Sequence, residues 1–186
     1  IEGALVRDPH SGVRRQTRPG DVAILFRARA SHREFEWALE RRAIPACVYK
    51  GLGFFDADEI KDVRVLIRFL ADPQSELRAA ALLRSRFVRV SDPGLLTLAG
   101  CLSVALVGSD ELPEFKSLRA DDRLALERAR ASLTRWIPLV DRLPPAEVLD
   151  IVLSEGAYAY EMRGPQAVQA RENLKKLRSL VRRLQN

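Results

Sequence analysis

The chain has only two cysteines, Cys47 and Cys101, in 186 residues. Neither has a second cysteine or a histidine at ligand spacing, which excludes a disulfide scaffold and a zinc site and makes a reducing cytoplasm the expected compartment. Long hydrophobic runs are missing. The longest uncharged stretch, Pro93 to Ser109, is interrupted by Gly94, Gly100 and Gly108 and falls short of the roughly 20 apolar residues of a membrane span. No apolar core follows a basic start, so no signal peptide is expected. No glycine is followed by lysine, which excludes a Walker A phosphate loop. There is no Gly-x-Ser-x-Gly elbow, and the only histidines, His10 and His32, fall in a turn and a first helical turn. Nucleophilic catalysis therefore lacks its parts. Gly51-Leu52-Gly53 has no third glycine and is followed by two phenylalanines and Asp56, so it is not a dinucleotide site. A tight turn feeding a core aromatic pair, Phe54-Phe55, is the expected role.

What the chain does have is arginine. Apolar residues make up 47% and charged residues 30%, so a packed core is feasible. The net charge is +6, and only five of the 31 basic residues are lysine. Arginine forks onto phosphate or carboxylate where lysine is a point charge, so a polyanionic partner is expected. The excess is uneven: +4 over residues 1–50, −4 over 51–162 and +6 over 163–186. Two basic ends around a slightly acidic middle suit contact with nucleic acid at the ends better than a uniform basic coat does.

Asp8 to Gly12 and Arg18 to Asp21 are turn sequences, and Val13 to Thr17 between them reads as a hairpin arm. Val22-Ala23-Ile24-Leu25-Phe26 is an apolar run of strand length, expected to be buried on both faces of a parallel sheet. Ser31 with Glu34 forms a capping box for a helix carrying Phe35 and Leu39. Ile44-Pro45 ends it, and Ala46 to Tyr49 reads as a second strand, giving a compact β-α-β unit. From Asp56, paired with Glu59 as a second capping box, the chain reads as helical. Ile60, Val63, Ile67 and Leu70 form its apolar face, and Asp72-Pro73 ends it. Further helices are expected at about 75–85, 92–107 (capped by Ser91, with Pro93 in its first turn), 121–136, 145–155 (ended by Gly156) and 166–184. The predicted class is α+β, mainly α: a small parallel β-α-β edge over residues 1–55, then an all-helical subdomain over 56–186.

Asp56, Asp58, Glu59 and Asp62 crowd a helix N-terminus, where they serve the dipole rather than acid–base chemistry. The basic stripes carry more information. Lys61, Arg64 and Arg68 share one helix face, and Arg84, Arg86 and Arg89 crowd the exit of the next. Arg171, Lys175, Arg178 and Arg182 recur at helical spacing, with Leu174, Leu177, Val181 and Leu184 on another face. Such a stripe is either a solvated face or a phosphate contact.

Several of these blocks resemble the second motor domain of superfamily 1 DNA helicases of the UvrD/Rep/PcrA type, with spacing nearest the AddA/RecB helicase–nuclease branch. They are Val22 to Arg29, the Glu36-x-x-Leu39 helix, Ile44-Pro45 and Tyr49-x-Gly51-x-x-Phe54-Phe55-x-x-x-Glu59-Ile60-Lys61-Asp62. Ala71-Asp72-Pro73 and Leu82-Leu83-Arg84-Ser85 continue the match, which returns at Arg171-Glu172-Asn173-Leu174. The resemblance implies that residues 1–55 form the edge of subdomain 2A and residues 56–186 the helical 2B insertion. It places Arg27 and Arg29 at the single-stranded DNA track, with Arg29 where a polar amide is usual. Lys50 stands where a glycine is usual, and Arg86 to Ser91 replaces a glycine-containing duplex-contacting loop.

The implied function is that of a DNA-binding accessory region of an ATP-dependent helicase for recombination or repair, without catalysis of its own. The resemblance implies DNA contacts at Arg27 and Arg29, and the basic residues add Arg33, Lys61, Arg64, Arg68, Arg84, Arg86, Arg89, Arg171, Lys175, Arg178 and Arg182 as expected DNA contacts. Single-stranded and duplex DNA and the remaining motor domains are the implied partners, in the bacterial cytoplasm at the nucleoid and with no membrane. Mg-ATP is expected in the parent helicase and no cofactor in this piece. The rival reading is a protein-interaction module whose basic faces dock an acidic partner, such as another polypeptide of a helicase–nuclease.

Overall fold

The computed structural model describes residues 3–27, 32–44, 46, 48, 54–156, 158 and 167–185, with only the backbone of residues 32 and 33. Leu5–Arg7 (β1) and Arg14–Gln16 (β2) pair antiparallel, with Arg7 opposite Arg14 and Val6 opposite Arg15. The turn between them is built from the short side chains that its sequence promised. Asp8 Oδ1 accepts from the amides of His10 and Ser11, both at 3.0 Å, and Gly12 takes φ 70°, a conformation other L-residues resist.

Val22 to Phe26 differs from expectation. It forms no strand and pairs with none among the described residues, and Val22, Ile24, Leu25 and Phe26 are all exposed, Leu25 by 93%. A strand buried on both faces needs neighbours on both sides, and no described residue supplies a ladder. Of the expected second strand, Ala46 and Val48 are described. Val48 bonds to a side chain instead: its N–H donates to Gln169 Oε1 at 2.6 Å, and Gln169 Nε2 donates back to the Val48 carbonyl at 3.3 Å. The helix between the two segments, His32–Glu40 (α1), forms as its pattern predicts, and Phe35 meets Phe26 edge-on at 5.0 Å.

The rest is helical: Asp58–Ala71 (α2), Glu76–Arg84 (α3), Asp92–Thr97 (α4), Leu102–Val107 (α5), Ala120–Trp136 (α6), Pro145–Glu155 (α7) and Ala167–Gln185 (α8). The α+β, mainly α class therefore holds. α2 starts later than its capping box predicts, because Phe54–Asp56 forms a 3-10 turn and Ala57 becomes the cap residue without a side-chain bond. Of the predicted aromatic pair, Phe54 packs and Phe55 is exposed.

α2 is the organising helix because it carries two apolar stripes. Ile60 and Val63 enter one cluster with Leu149 and Leu153 of α7, Tyr158, and Ala170 and Leu174 of α8. Leu66, Phe69 and Leu70 enter a second with Leu82 and Leu83 of α3, Leu106 of α5, Leu126 and Leu133 of α6, and Val148 and Val152 of α7. Ile67, expected on the apolar face, is 44% exposed, because Leu66 takes the core side of that turn. Truncating any of the fully buried leucines to alanine costs roughly 2–5 kcal/mol.

The helix predicted over 92–107 is two helices. Gly100 takes φ 89° between them, which no right-handed helix accommodates. The resulting α5 has six residues, too few to persist alone, and charged side chains from other helices hold both its ends. Glu76 of α3 accepts from the amides of Leu102 at 2.9 Å and Ser103 at 2.8 Å, and from the Ser103 hydroxyl. Arg130 of α6 donates to the carbonyls of Ala105 at 3.0 Å, Gly108 and Asp110. An anion at the N-terminus and a cation at the C-terminus both favour the helix dipole. The Ser103 bonds hold the Glu76 carboxyl below its usual range against the opposing effect of burial.

Candidate nucleic-acid interface

Four carboxylates crowd the start of α2, and three have partners on other elements. Asp58 accepts from Arg86 Nη2 at 2.6 Å. Asp62 accepts from the Tyr158 hydroxyl at 2.6 Å and lies 3.7 Å from Arg86 Nε. Glu59, itself buried, accepts from Asn173 Nδ2 at 2.6 Å. Tyr158 stacks on Phe87 with ring centroids 4.3 Å apart. Burial and the Asp62 carboxylate push its hydroxyl above the usual range, so it stays a proton donor. Arg86, expected to reach DNA, is instead a strut between α2 and the segment after α3.

The α8 stripe divides in the same way. Arg178 and Arg182 both donate to Asp150 of α7. The Arg178 bond, helped by Arg182, holds the Asp150 carboxyl below its ordinary range while burial opposes. Lys175 pairs with Glu172 one turn away. Lys176 lies over the Phe54 ring at 4.3 Å, a cation–π contact. Arg171 is exposed and has no partner among the described residues. A stripe of four thus becomes one uncommitted cation, one paired lysine and two arginines that fasten α8 to α7.

On α2, Arg64 and Arg68 stand one turn apart, about 6 Å of helix rise. Both are exposed, and neither side chain has a partner among the described residues. Lys61 lies 4.0 Å from Asp58, and Arg84 lies 3.7 Å from Asp92 with both side chains 73% exposed. Pairs so open to water contribute little and leave those cations available. Arg89 is exposed at φ 66°. Arg27 is exposed and unpaired among the described residues. Arg29 and the side chain of Arg33 lie outside the described residues.

Two features escaped the linear reading. Besides donating to Glu59, Asn173 accepts at its Oδ1 from Gln169 Nε2 at 3.0 Å. Val48, Gln169, Asn173 and Glu59 therefore form one bridge from the N-terminal segment through α8 to α2. The spacing of Gln169 and Asn173 by four residues was the available signal. The second feature is Arg7 and Arg14, side by side on the hairpin, which a loop closed by Asp8 and Val13 could have aligned.

Among the described residues no group of three or more His, Cys, Asp or Glu side chains is placed to hold a metal ion. The donor set does not fit Mg-ATP either. The chain has no Gly-Lys pair, and the starts of α3, α4 and α5 are already capped by Ser75, Ser91 and Glu76. No described helix is long and apolar enough to cross a membrane.

A family model described as the UvrD-like helicase C-terminal domain matches residues 6–102, from the hairpin to the start of α5. The chain is similar to the AddA polypeptide of the ATP-dependent helicase/nuclease of Limosilactobacillus fermentum, 31% identical over 86 residues, covering 46% of this chain and 6% of that protein. It is similar to the ATP-dependent DNA helicase PcrA of Bacillus subtilis, 21% identical over 165 residues, covering 84% of this chain and 22% of the relative. The corresponding figures for the AddA polypeptide of a Thermoanaerobacter species are 27% over 171 residues, 83% and 13%. The chain thus spans less than a quarter of the length of each of these relatives.

Proposed function

The chain belongs to the UvrD-like helicase C-terminal domain family, and from that premise we propose that it is a DNA-binding accessory region of an ATP-dependent helicase acting in recombination or repair. Residues 1–55 serve as the edge of motor subdomain 2A and residues 56–186 as a 2B-like helical insertion. The observation that carries the reading is the uncommitted pair Arg64 and Arg68 on α2, whose side chains are exposed and without a partner among the described residues, while Arg86, Arg178 and Arg182 are tied to carboxylates. Exposed forks one turn apart suit successive phosphates. Arg27, Lys61, Arg84 and Arg171 extend the cationic surface.

The other motor segments have a place to dock. Val22, Ile24, Leu25, Phe26, Phe35 and Trp37 expose apolar side chains together, more than a soluble surface ordinarily carries in one segment. Mg-ATP belongs to those segments, and in the bacterial cytoplasm the assembled enzyme, with an attached nuclease in the helicase/nuclease branch, works at the nucleoid.

The test is fluorescence anisotropy of labelled single-stranded and forked DNA against the purified chain and its R64E/R68E/R171E variant, with Arg178 and Arg182 left in place to keep α8 docked. The reversal is expected to weaken binding at least tenfold and to lower the log–log salt slope for single strands by about 2, three contacts at roughly 0.7 each. An unchanged affinity and slope would turn the assignment toward the acidic-partner module, and ATP turnover by the purified chain would overturn it outright.

A further inference from the structure

The β1–β2 hairpin has an electrostatic imbalance that its own fold does not resolve. Arg7 and Arg14 are directly opposite in the register. The flanking bonds, Asp8 N–H to the Val13 carbonyl at 2.9 Å and Thr17 N–H to the Ala4 carbonyl at 3.0 Å, put them by alternation in the narrow, non-hydrogen-bonded kind of pair. Their side chains then rise from the same face within about 5 Å at Cβ. Like charges directly opposite destabilise a strand pair, and the usual remedy is a nearby carboxylate.

Two carboxylates are nearby, and both are spent on the other face. Arg15, opposite Val6, donates to Asp8 at 3.3 Å and to both oxygens of Asp21 at 2.6 and 2.8 Å. Backbone bonds from Ser11 and His10, joined by Arg15, hold the Asp8 carboxyl down at about 2, so it stays ionised and committed. Asp21 is further fixed by the Arg18 amide at 2.8 Å. Arg7 and Arg14 are exposed and have no partner among the described residues.

Building on the DNA-binding reading above, we infer that the Arg7/Arg14 face of this hairpin is a second, separate contact for the DNA backbone, with the two guanidinium forks converging on a phosphate. Two parallel forks so close together suit an oxyanion with several acceptor oxygens better than isolated carboxylates. Leu5 lies on the same face, 62% exposed, and offers an apolar shelf to the adjoining sugar. A bound phosphate would neutralise the repulsion between the two guanidinium groups.

The experiment is a titration of the isotope-labelled chain with a short oligo-thymidylate, following the arginine Nε–Hε resonances, combined with the variant Arg14→Glu. That substitution places a carboxylate opposite Arg7, so the hairpin is kept or strengthened while the phosphate clamp is destroyed. The expected result is that Arg7 and Arg14 shift on titration and recover when salt is raised. Arg14→Glu should weaken oligonucleotide binding several-fold and lower the salt slope by about 1.4, two contacts at roughly 0.7 each, with an unchanged or higher Tm. Shifts confined to Arg64, Arg68 and Arg171 would overturn the hairpin contact and leave the DNA-binding reading standing. No shift at any arginine would overturn both. Stronger shifts of Arg7 and Arg14 with a poly-glutamate peptide than with the oligonucleotide would reassign the face to an acidic protein. Because the resonances are read on the unaltered chain, the outcome does not depend on the variant folding.

Discussion

Removing the charge of Asp150 separates cations that hold the fold from cations that face a partner. Asp150→Asn keeps the shape of the side chain but deprives Arg178 and Arg182 of their shared anion. A charge-assisted hydrogen bond contributes roughly 1.5–3 kcal/mol, whereas an exposed ion pair contributes about 0–1 kcal/mol. Here the arginines are 41% and 60% exposed and the aspartate 25%, so the clamp belongs toward the lower range, about 1–2 kcal/mol in total. For a chain of this length that is a fall in Tm of about 3–7 °C. The pH dependence has a definite sign. Asp150 is depressed in the folded state, so its stabilisation is present above the unfolded value of 3.8 and is lost as the pH falls below it. Urea denaturation followed by circular dichroism at neutral and acidic pH is the assay. The wild-type chain should approach Asp150→Asn in stability as the pH drops, and DNA affinity should be unchanged or raised, because two arginines are freed. The reasoning is refuted if Asp150→Asn is as stable as wild type while Arg178→Ala and Arg182→Ala cut DNA affinity as deeply as reversal of Arg64 and Arg68.

Three further outcomes follow from packing. Gly94→Ala should destabilise by about 1–3 kcal/mol in urea titration despite the better helix propensity of alanine, because overpacking outweighs it; the new Cβ would sit 2.8 Å from Asp122 Oδ2 and from Val90 Cγ1. Asp122 cannot retreat without losing Ser91, whose amide and hydroxyl it accepts at 2.7 and 2.6 Å. Glu76→Gln should cost roughly 1–3 kcal/mol and strip hydrogen-exchange protection from α5 before the other helices. Tyr158→Phe should cost about 1 kcal/mol with no change in DNA affinity, since the Asp62 bond it removes faces the interior.

Legibility from sequence tracked how local the cause was. The helices over 145–155 and 167–185, the Ser91 cap and the turn after Asp8 all formed where side-chain spacing placed them, because each depends on residues within a turn of one another. Errors arose where the decisive partner was far along the chain. The Asp56 box did not form and Glu59 instead met Asn173, 114 residues away. A helix expected over 92–107 broke at Gly100, and Glu76, Arg130 and the burial of Ala105 and Leu106 hold its second half in place. Val22 to Phe26 had the composition of a doubly covered strand, but composition cannot provide the neighbouring strands.

The same division holds for function. Sequence alone determined the family, through contiguous blocks such as Phe54-Phe55 with Glu59 to Asp62, and it determined that these residues contain no Walker A loop, since that loop needs glycine and lysine in succession. It also determined how many cations there are and on which helices. Only the tertiary structure decided which of them are free. Periodicity places Arg64 and Arg178 alike on a polar helix face, yet Asp150 waits opposite Arg178 and no described carboxylate waits opposite Arg64. A charge becomes available to a partner only when the fold has failed to neutralise it, and neutralisation is a matter of distances between helices that no single helix encodes.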